Sequence, residues 1–383
     1  MKAQSSYAAI LVVLIIILLV PSTLPLKIVA NASPIVAAEN SWTTMAPMPT
    51  ARAQFGVAVV DGKIYAIGGA NNSASGPNVL SVNEEYDPAK NSWTTKAPMP
   101  TARHSFGIAV YQNKIYCIGG SINGPHLTVN EVYDPATDIW ETKTPMPTAR
   151  AGLCANTVDG IIYLMGGEPA NTTNEAYDPV TDSWSTRAQV SEGIVYSPSA
   201  AVEDKIYLFG SLSNPNSNQI YDPETDTWTF GSALPDGVSE GAAAATSGAN
   251  APVRIYVMGG QTTYVSNGYA FANFSDLNQV YNPDSNTWSK ATPIPTELRL
   301  FGLAAANDTF YAIGGFPGVM QFLDSNYQYT PIAFNKAEQS PAIFADSWTD
   351  IVVISSAIIS TGVATFTVHF IRKHKRALKP AIK

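Results

Sequence analysis

The sequence predicts an all-β protein assembled from six copies of one four-stranded unit. A short apolar run closed by two glycines recurs as "GKIYAIGG" to Gly69, "NKIYCIGG" to Gly120, "GIIYLMGG" to Gly167, "RIYVMGG" to Gly260 and "TFYAIGG" to Gly315, and "DKIYLFGS" ends at Ser211. Tyr-Asp-Pro or Tyr-Asn-Pro follows at Tyr86, Tyr133, Tyr177, Tyr221 and Tyr281. Seven positions beyond each tyrosine stands a tryptophan: Trp93, Trp140, Trp184, Trp228 and Trp288. The 27 glycines and 27 prolines supply the turns that so many short strands require.

Along the chain, residues 1–32 read as a secretory signal peptide or an uncleaved N-terminal anchor. Lys2 precedes the apolar run "AAILVVLIIILLV", and Ala30 and Ala32 offer a small-residue cleavage pattern. Residues 40–331 carry the repeat. "NSW" with Trp42 opens it without a tyrosine, and "NYQYTP" with Tyr329 ends it without a tryptophan in step. The two ends are halves of one unit.

Within a unit the first strand, typified by "FGVAVV", joins the second, "KIYAIGG", through "DGK", "QNK" or "VDG", which suits a tight hairpin. The second strand is apolar on both parities, Ile64 and Ala66 facing one way, Tyr65 and Ile67 the other. A sheet with one wet face would alternate, so each sheet is expected to lie between two others. The third strand ends at the tyrosine and the fourth contains the tryptophan.

Ten positions after each tryptophan lie Arg52, Arg103, Arg150, Ile194, Val238 and Leu298, and sixteen more reach the first glycine. The fifth unit alone needs twenty-one, because "SGANAPV" enlarges one turn. From the first glycine to the next tyrosine the distance runs 18, 14, 11, 11, 22 and 15. Length variation is thus confined almost wholly to one connection.

The pairs Gly68 and Gly69, Gly119 and Gly120, Gly166 and Gly167, Gly259 and Gly260, and Gly314 and Gly315, with the tyrosines and tryptophans at these separations, resemble kelch repeats. The resemblance implies a six-bladed kelch-type β-propeller over residues 40–331, closed by an N-terminal strand around Trp42 that completes the last blade. The departures are Ser211 for a second glycine, Asn282 for Asp, and the last unit's "NYQYTP".

In such blades the connection after strand two and the entry to strand one share a face, so the variable loops and the arginine positions share a mouth. Candidate binding residues there are Arg52, Arg103, His104, Arg150, Glu192, Glu240 and Arg299, and, on the longest loop, Tyr264, Tyr269 and Phe271. Arginines at similar positions in kelch propellers often line the ligand surface, which implies an acidic or sugar-like group on the basic side of blades one to three. The alternative is that they tie neighbouring blades together or are solvated. Sequons at Asn71, Asn171, Asn273 and Asn307 mark candidate glycosylation sites.

No metal or cofactor is expected. His104 and His126 alone make a weak metal pair, and the copper-radical oxidases of kelch architecture need a ligand set with no match here. Cys117 and Cys154 read as small buried hydrophobes, with a bridge between them left open.

Residues 332–350 form a linker. Ile351 to Ile371 contains no Asp, Glu, Lys or Arg and is long enough to span the bilayer as a helix. The basic residues 372–383 beyond it place the C-terminus in the cytoplasm. Between residues 33 and 350 lie 14 Lys and Arg against all 30 Asp and Glu, a net −16 that disfavours nucleic acid and anionic lipid as partners. The expected protein is a single-pass cell-membrane module, its propeller extracellular, binding a protein or carbohydrate through the variable-loop face. The alternative, which blade count and secretion resemble, is a carbohydrate enzyme such as a sialic-acid mutarotase. It would need Glu240, Glu192 or His104 beside an arginine such as Arg103.

Overall fold

The computed structural model describes residues 39–333 apart from 74–75, 267–268 and 319–320. The leader, the membrane span, the basic tail and nearly all of the linker fall outside the described residues. Among the described residues no helix is long and apolar enough to cross a membrane.

Six four-stranded antiparallel sheets follow one another as blades. Blade one comprises Gly56–Val60, Lys63–Ile67, Asn83–Asp87 and Ser92–Lys96, and the next four repeat that order. Blade six takes Gly302–Ala306, Thr309–Ile313 and Asn326–Thr330 from the end of the repeat and Ser41–Thr44 from its beginning, with Trp42 opposite Tyr329. The tyrosine and tryptophan that the two ends lack separately are therefore brought into the register that Tyr86 and Trp93 hold in blade one.

Second strands are buried on both faces, as their unbroken apolar pattern requires: Ile64, Tyr65, Ala66 and Ile67 are all buried. Each lies between neighbouring blades. One core packs Ala58, Tyr65 and Ile67 of blade one against Phe106, Ile115, Cys117 and Tyr133 of blade two. Five equivalent clusters fill the other interfaces, including blades six and one. Cys117 and Cys154 are both free and buried, and burial pushes their thiols up to about 12 and about 11.

The repeat residues also supply polar ties between blades. The Trp93 indole N–H donates to Ala46 O at 2.9 Å, Trp140 to Ala97 O at 2.9 Å, and Trp42 to Thr292 O at 3.0 Å. The Tyr133 hydroxyl donates to Asp138, whose same oxygen accepts from the Ala97 amide of blade one. Tyr329 finds its acceptor on Asn40 instead, across 289 positions of sequence. The ring closes with the same bonds that join its other blades.

Candidate functional site at the channel mouth

One face of the propeller collects the variable connections. In five blades the residue after the arginine position forms a β-bridge with the residue following the glycine pair: Ala53 with Ala70, His104 with Ser121, Ala151 with Glu168, Ser239 with Gln261 and Arg299 with Phe316. The entry to strand one and the loop after strand two are thus hydrogen-bonded neighbours, as the topology predicts. The two longest variable loops become ribbons, Ala70–Ser73 with Gly76–Val79 and Gln261–Ser266 with Tyr269–Phe274. Tyr264, Tyr269 and Phe271 fall on the second ribbon, where their side chains lie outside the described residues.

The arginines correct the expectation of a basic mouth. Arg52, Arg103 and Arg150 are each 0% exposed. Arg52 pairs with Glu84 at 2.7 Å, Arg150 with Glu175 at 2.7 Å, and Arg103 with Glu131. Each also donates to a carbonyl of its own blade: Ala66, Cys117 and Gly166. Their backbones meanwhile bond to the preceding blade, Gly69 N to Arg103 O at 2.9 Å and Gly120 N to Arg150 O at 2.9 Å. The guanidinium groups therefore hold each connector to its own blade while its backbone ties that blade to the preceding one, and they are not presented to a ligand. A buried cation needs partners of this kind, because desolvation otherwise outweighs the attraction. Burial lowers Arg52 and Arg150 from the ordinary arginine value, opposed by Glu84 and Glu175.

Thr50, Thr101 and Thr148 complete these clusters by donating to the same glutamates. Blades four and five replace the set. Ile194 and Val238 stand for arginine, and Gln219 and Gln279 stand for glutamate, bonding the backbones of Glu192 and Asp236. That exchange is visible in the sequence: "NE" before the tyrosine accompanies arginine, "NQ" accompanies an aliphatic residue.

The residues that do surround the mouth lie two positions further on, twelve after each tryptophan: Gln54, Ser105, Gly152, Tyr196, Glu240 and Leu300. Each has a left-handed backbone, φ between +50° and +66°. Their amides and carbonyls form a closed ring, every N–H donating to the ring residue of the preceding blade at 2.7 to 2.9 Å. Below it runs a channel of about 380 Å³ walled by the six first strands. The ring's backbone is self-satisfied, so only its side chains distinguish one blade from the next.

Those side chains are where the mouth's chemistry sits. The Tyr196 hydroxyl donates to Ser105 Oγ at 3.3 Å, reaching from blade four to blade two over Gly152. His104, half-buried, places Nδ1 2.9 Å from the same Oγ, and burial lowers its pKa. Glu240 accepts from Arg299 at 2.7 Å, and the Arg299 guanidinium lies 4.8 Å from the Phe274 ring centroid and 5.5 Å from that of Phe316. Glu192 lies away from the ring, beside a cleft of about 320 Å³ lined by Asn214–Asn218 and Phe230. His126 bridges Ser121 through the backbone. Of the candidate sequons, Asn171, Asn273 and Asn307 are exposed, whereas Asn71 is half-buried and donates to Ala51 O.

Comparison with known proteins follows from this frame. The Attractin/LZTR1 beta-propeller family model matches residues 64–322, about two thirds of the chain. The chain belongs to that family. This Attractin/LZTR1-type propeller is 32% identical over 82 residues to Kelch-like protein 33 of Homo sapiens, covering 21% of this chain and 15% of that protein. It is 39% identical over 82 residues to Kelch-like protein 36 of Rattus norvegicus, covering 21% and 13%. Both matches span less than a sixth of the relative's length. Among solved structures, YjhT superposes with a TM-score of 0.62 at 17% identity, covering 74% of this chain and 95% of that one. At that identity the likeness concerns the fold alone.

Proposed function

We propose that this Attractin/LZTR1-type propeller is an extracellular recognition module, held at the cell membrane by Ile351 to Ile371 and meeting a protein or glycan with its variable-loop face. The observation that carries it is the confinement of nearly all length variation to one face of the ring, the enlarged turn of blade five being the exception. Kelch-type propellers generally serve as protein-interaction modules, and the match to kelch-like proteins supports that class. Exposed Glu168, Asp276, Glu297 and Asp324 give the loops an acidic character suited to a basic partner surface.

The test is a screen of the purified protein against surface-protein and glycan panels, with loop substitutions Asp276→Ala and Glu297→Ala compared with tight-turn substitutions Asp61→Ala and Asp159→Ala. Loss of the bound partner in the loop variants alone is expected. Loss confined to the tight-turn variants overturns the reading. One observation favours a second reading, a mutarotase-like enzyme: Glu240 beside Arg299 supplies the carboxylate and arginine such chemistry needs. Catalysed anomerisation that disappears in Glu240→Gln would establish it.

A further inference from the structure

The mouth of the channel is a built cavity, distinct from the loops that rise around it. It holds about 170 Å³, room for about five water molecules. The hydrogen-bonded ring is its rim, and the residues that follow form its wall: Phe55, Phe106 and Phe301 on one side, Leu153, Ser197 and Gly241 on the other. The wall is therefore aromatic on one side, and the cavity's polar groups come from the ring, Gln54, Ser105, Tyr196 and Glu240.

Glu240 and Tyr196 bring acceptors to the cavity's rim. Arg299 engages only Oε2 of Glu240, and Oε1 has no hydrogen-bond partner among the described residues. Tyr196 gives its proton to Ser105, and its phenol oxygen, which the Gln54 side chain also approaches, keeps acceptor capacity in the cavity. The charges of Glu168 and Glu240 both act on that hydroxyl. Arg299 offsets Glu240 through its ion pair, whereas Arg52, Arg103 and Arg150 add no charge to the mouth, being consumed by Glu84, Glu131 and Glu175. A carboxylate oxygen and a phenol oxygen set against aromatic rings suit a cation with an apolar body.

We propose that the mouth binds a small primary amine, its ammonium between Glu240 Oε1 and the Tyr196 oxygen and its carbon chain against Phe55, Phe106 and Phe301. The same chemistry arises from a free amine or from the lysine side chain of a partner. This site needs no particular macromolecule on the loops, so it stands or falls apart from the recognition reading.

Calorimetric titration of the full chain in detergent tests it with butylammonium, 1-butanol, butyrate and an N-acetyl-lysine methylamide. Saturable binding of butylammonium or the lysine probe, with none of butanol or butyrate, is expected. A lysine probe at least about tenfold tighter assigns the site to a protein side chain, and the reverse assigns it to a free amine. Glu240→Gln should weaken binding by about tenfold or more, and Tyr196→Phe by a smaller factor, with circular dichroism unchanged. Because the ring is made of backbone bonds, both variants keep it. Equal binding of butanol, no saturable binding of either amine probe, or undiminished binding in folded Glu240→Gln overturns the proposal.

Discussion

The buried arginine clusters are where one residue's chemistry decides most. Arg103 sits without solvent against Glu131, Thr101 and the Cys117 carbonyl, so Arg103→Ala strands a buried carboxylate. A loss of about 3–5 kcal/mol in urea denaturation is expected. Blade four holds the same place with Ile194 and Gln219, which satisfies its amide on the connector backbone. The double change Arg103→Ile with Glu131→Gln should therefore recover most of that loss; a double variant as unstable as Arg103→Ala would contradict the equivalence. Arginine beside a predicted mouth reads as exposed when only its own stretch is considered. Its partner lies in the third strand, and the pairing of "NE" with arginine across units was the available signal. His104 gives a second residue-scale expectation. Burial lowers its pKa, so between the native value and about 6.5 the unfolded chain binds more protons than the native one. Its contribution to stability therefore falls as pH drops through that window, and denaturation from pH 7.5 to 5 should show a shallower slope in His104→Gln.

At the scale of an element, the glycine pair shows how the sequence punctuates a blade. Gly120 has φ +99°, and a Cβ there would lie 2.8 Å from the His104 carbonyl oxygen and 2.9 Å from the Phe106 Cβ. Strand two must leave the sheet where the connector crosses it, and only a residue without a side chain fits. Ser211 breaks the pattern because blade four leaves by another route: it lies outside the left-handed region, and its Oγ accepts from Asn214 N to start a different turn. Gly120→Ala is expected to lose about 1–3 kcal/mol from backbone strain alone, and Ser211→Gly less than about 1 kcal/mol, in thermal unfolding. Strands, turns and closure were legible because their residues repeat at fixed offsets. The mouth ring was not, because its six residues share a backbone conformation and no side-chain type. Its signal was the opposite of repetition, a position of unlike residues inside a constant stretch.

Across the whole molecule, the six interfaces use one set of bonds, but blade six alone depends on contacts between distant ends of the chain. Its fourth strand returns from Ser41–Thr44, and Asn40 accepts from both the Tyr329 hydroxyl at 2.8 Å and the Thr292 amide at 2.9 Å. Closing so long a loop carries an entropic cost that each local hairpin avoids, so this seam holds the ring only while its bonds are intact. Trp42→Ala removes the indole bond to Thr292 and the packing on Tyr329, whereas Trp140→Ala removes the same contacts within a seam whose strands are joined by a short turn. Both variants lose side-chain burial, but only the first frees a strand edge. Hydrogen exchange read by mass spectrometry should show Trp42→Ala losing protection first in residues 302–330. Light scattering should show concentration-dependent association through the exposed Asn326–Thr330 edge. Trp140→Ala should lose stability without either effect. If the two variants instead lose protection evenly around the ring, closure by the N-terminal strand contributes no more than any other blade contact.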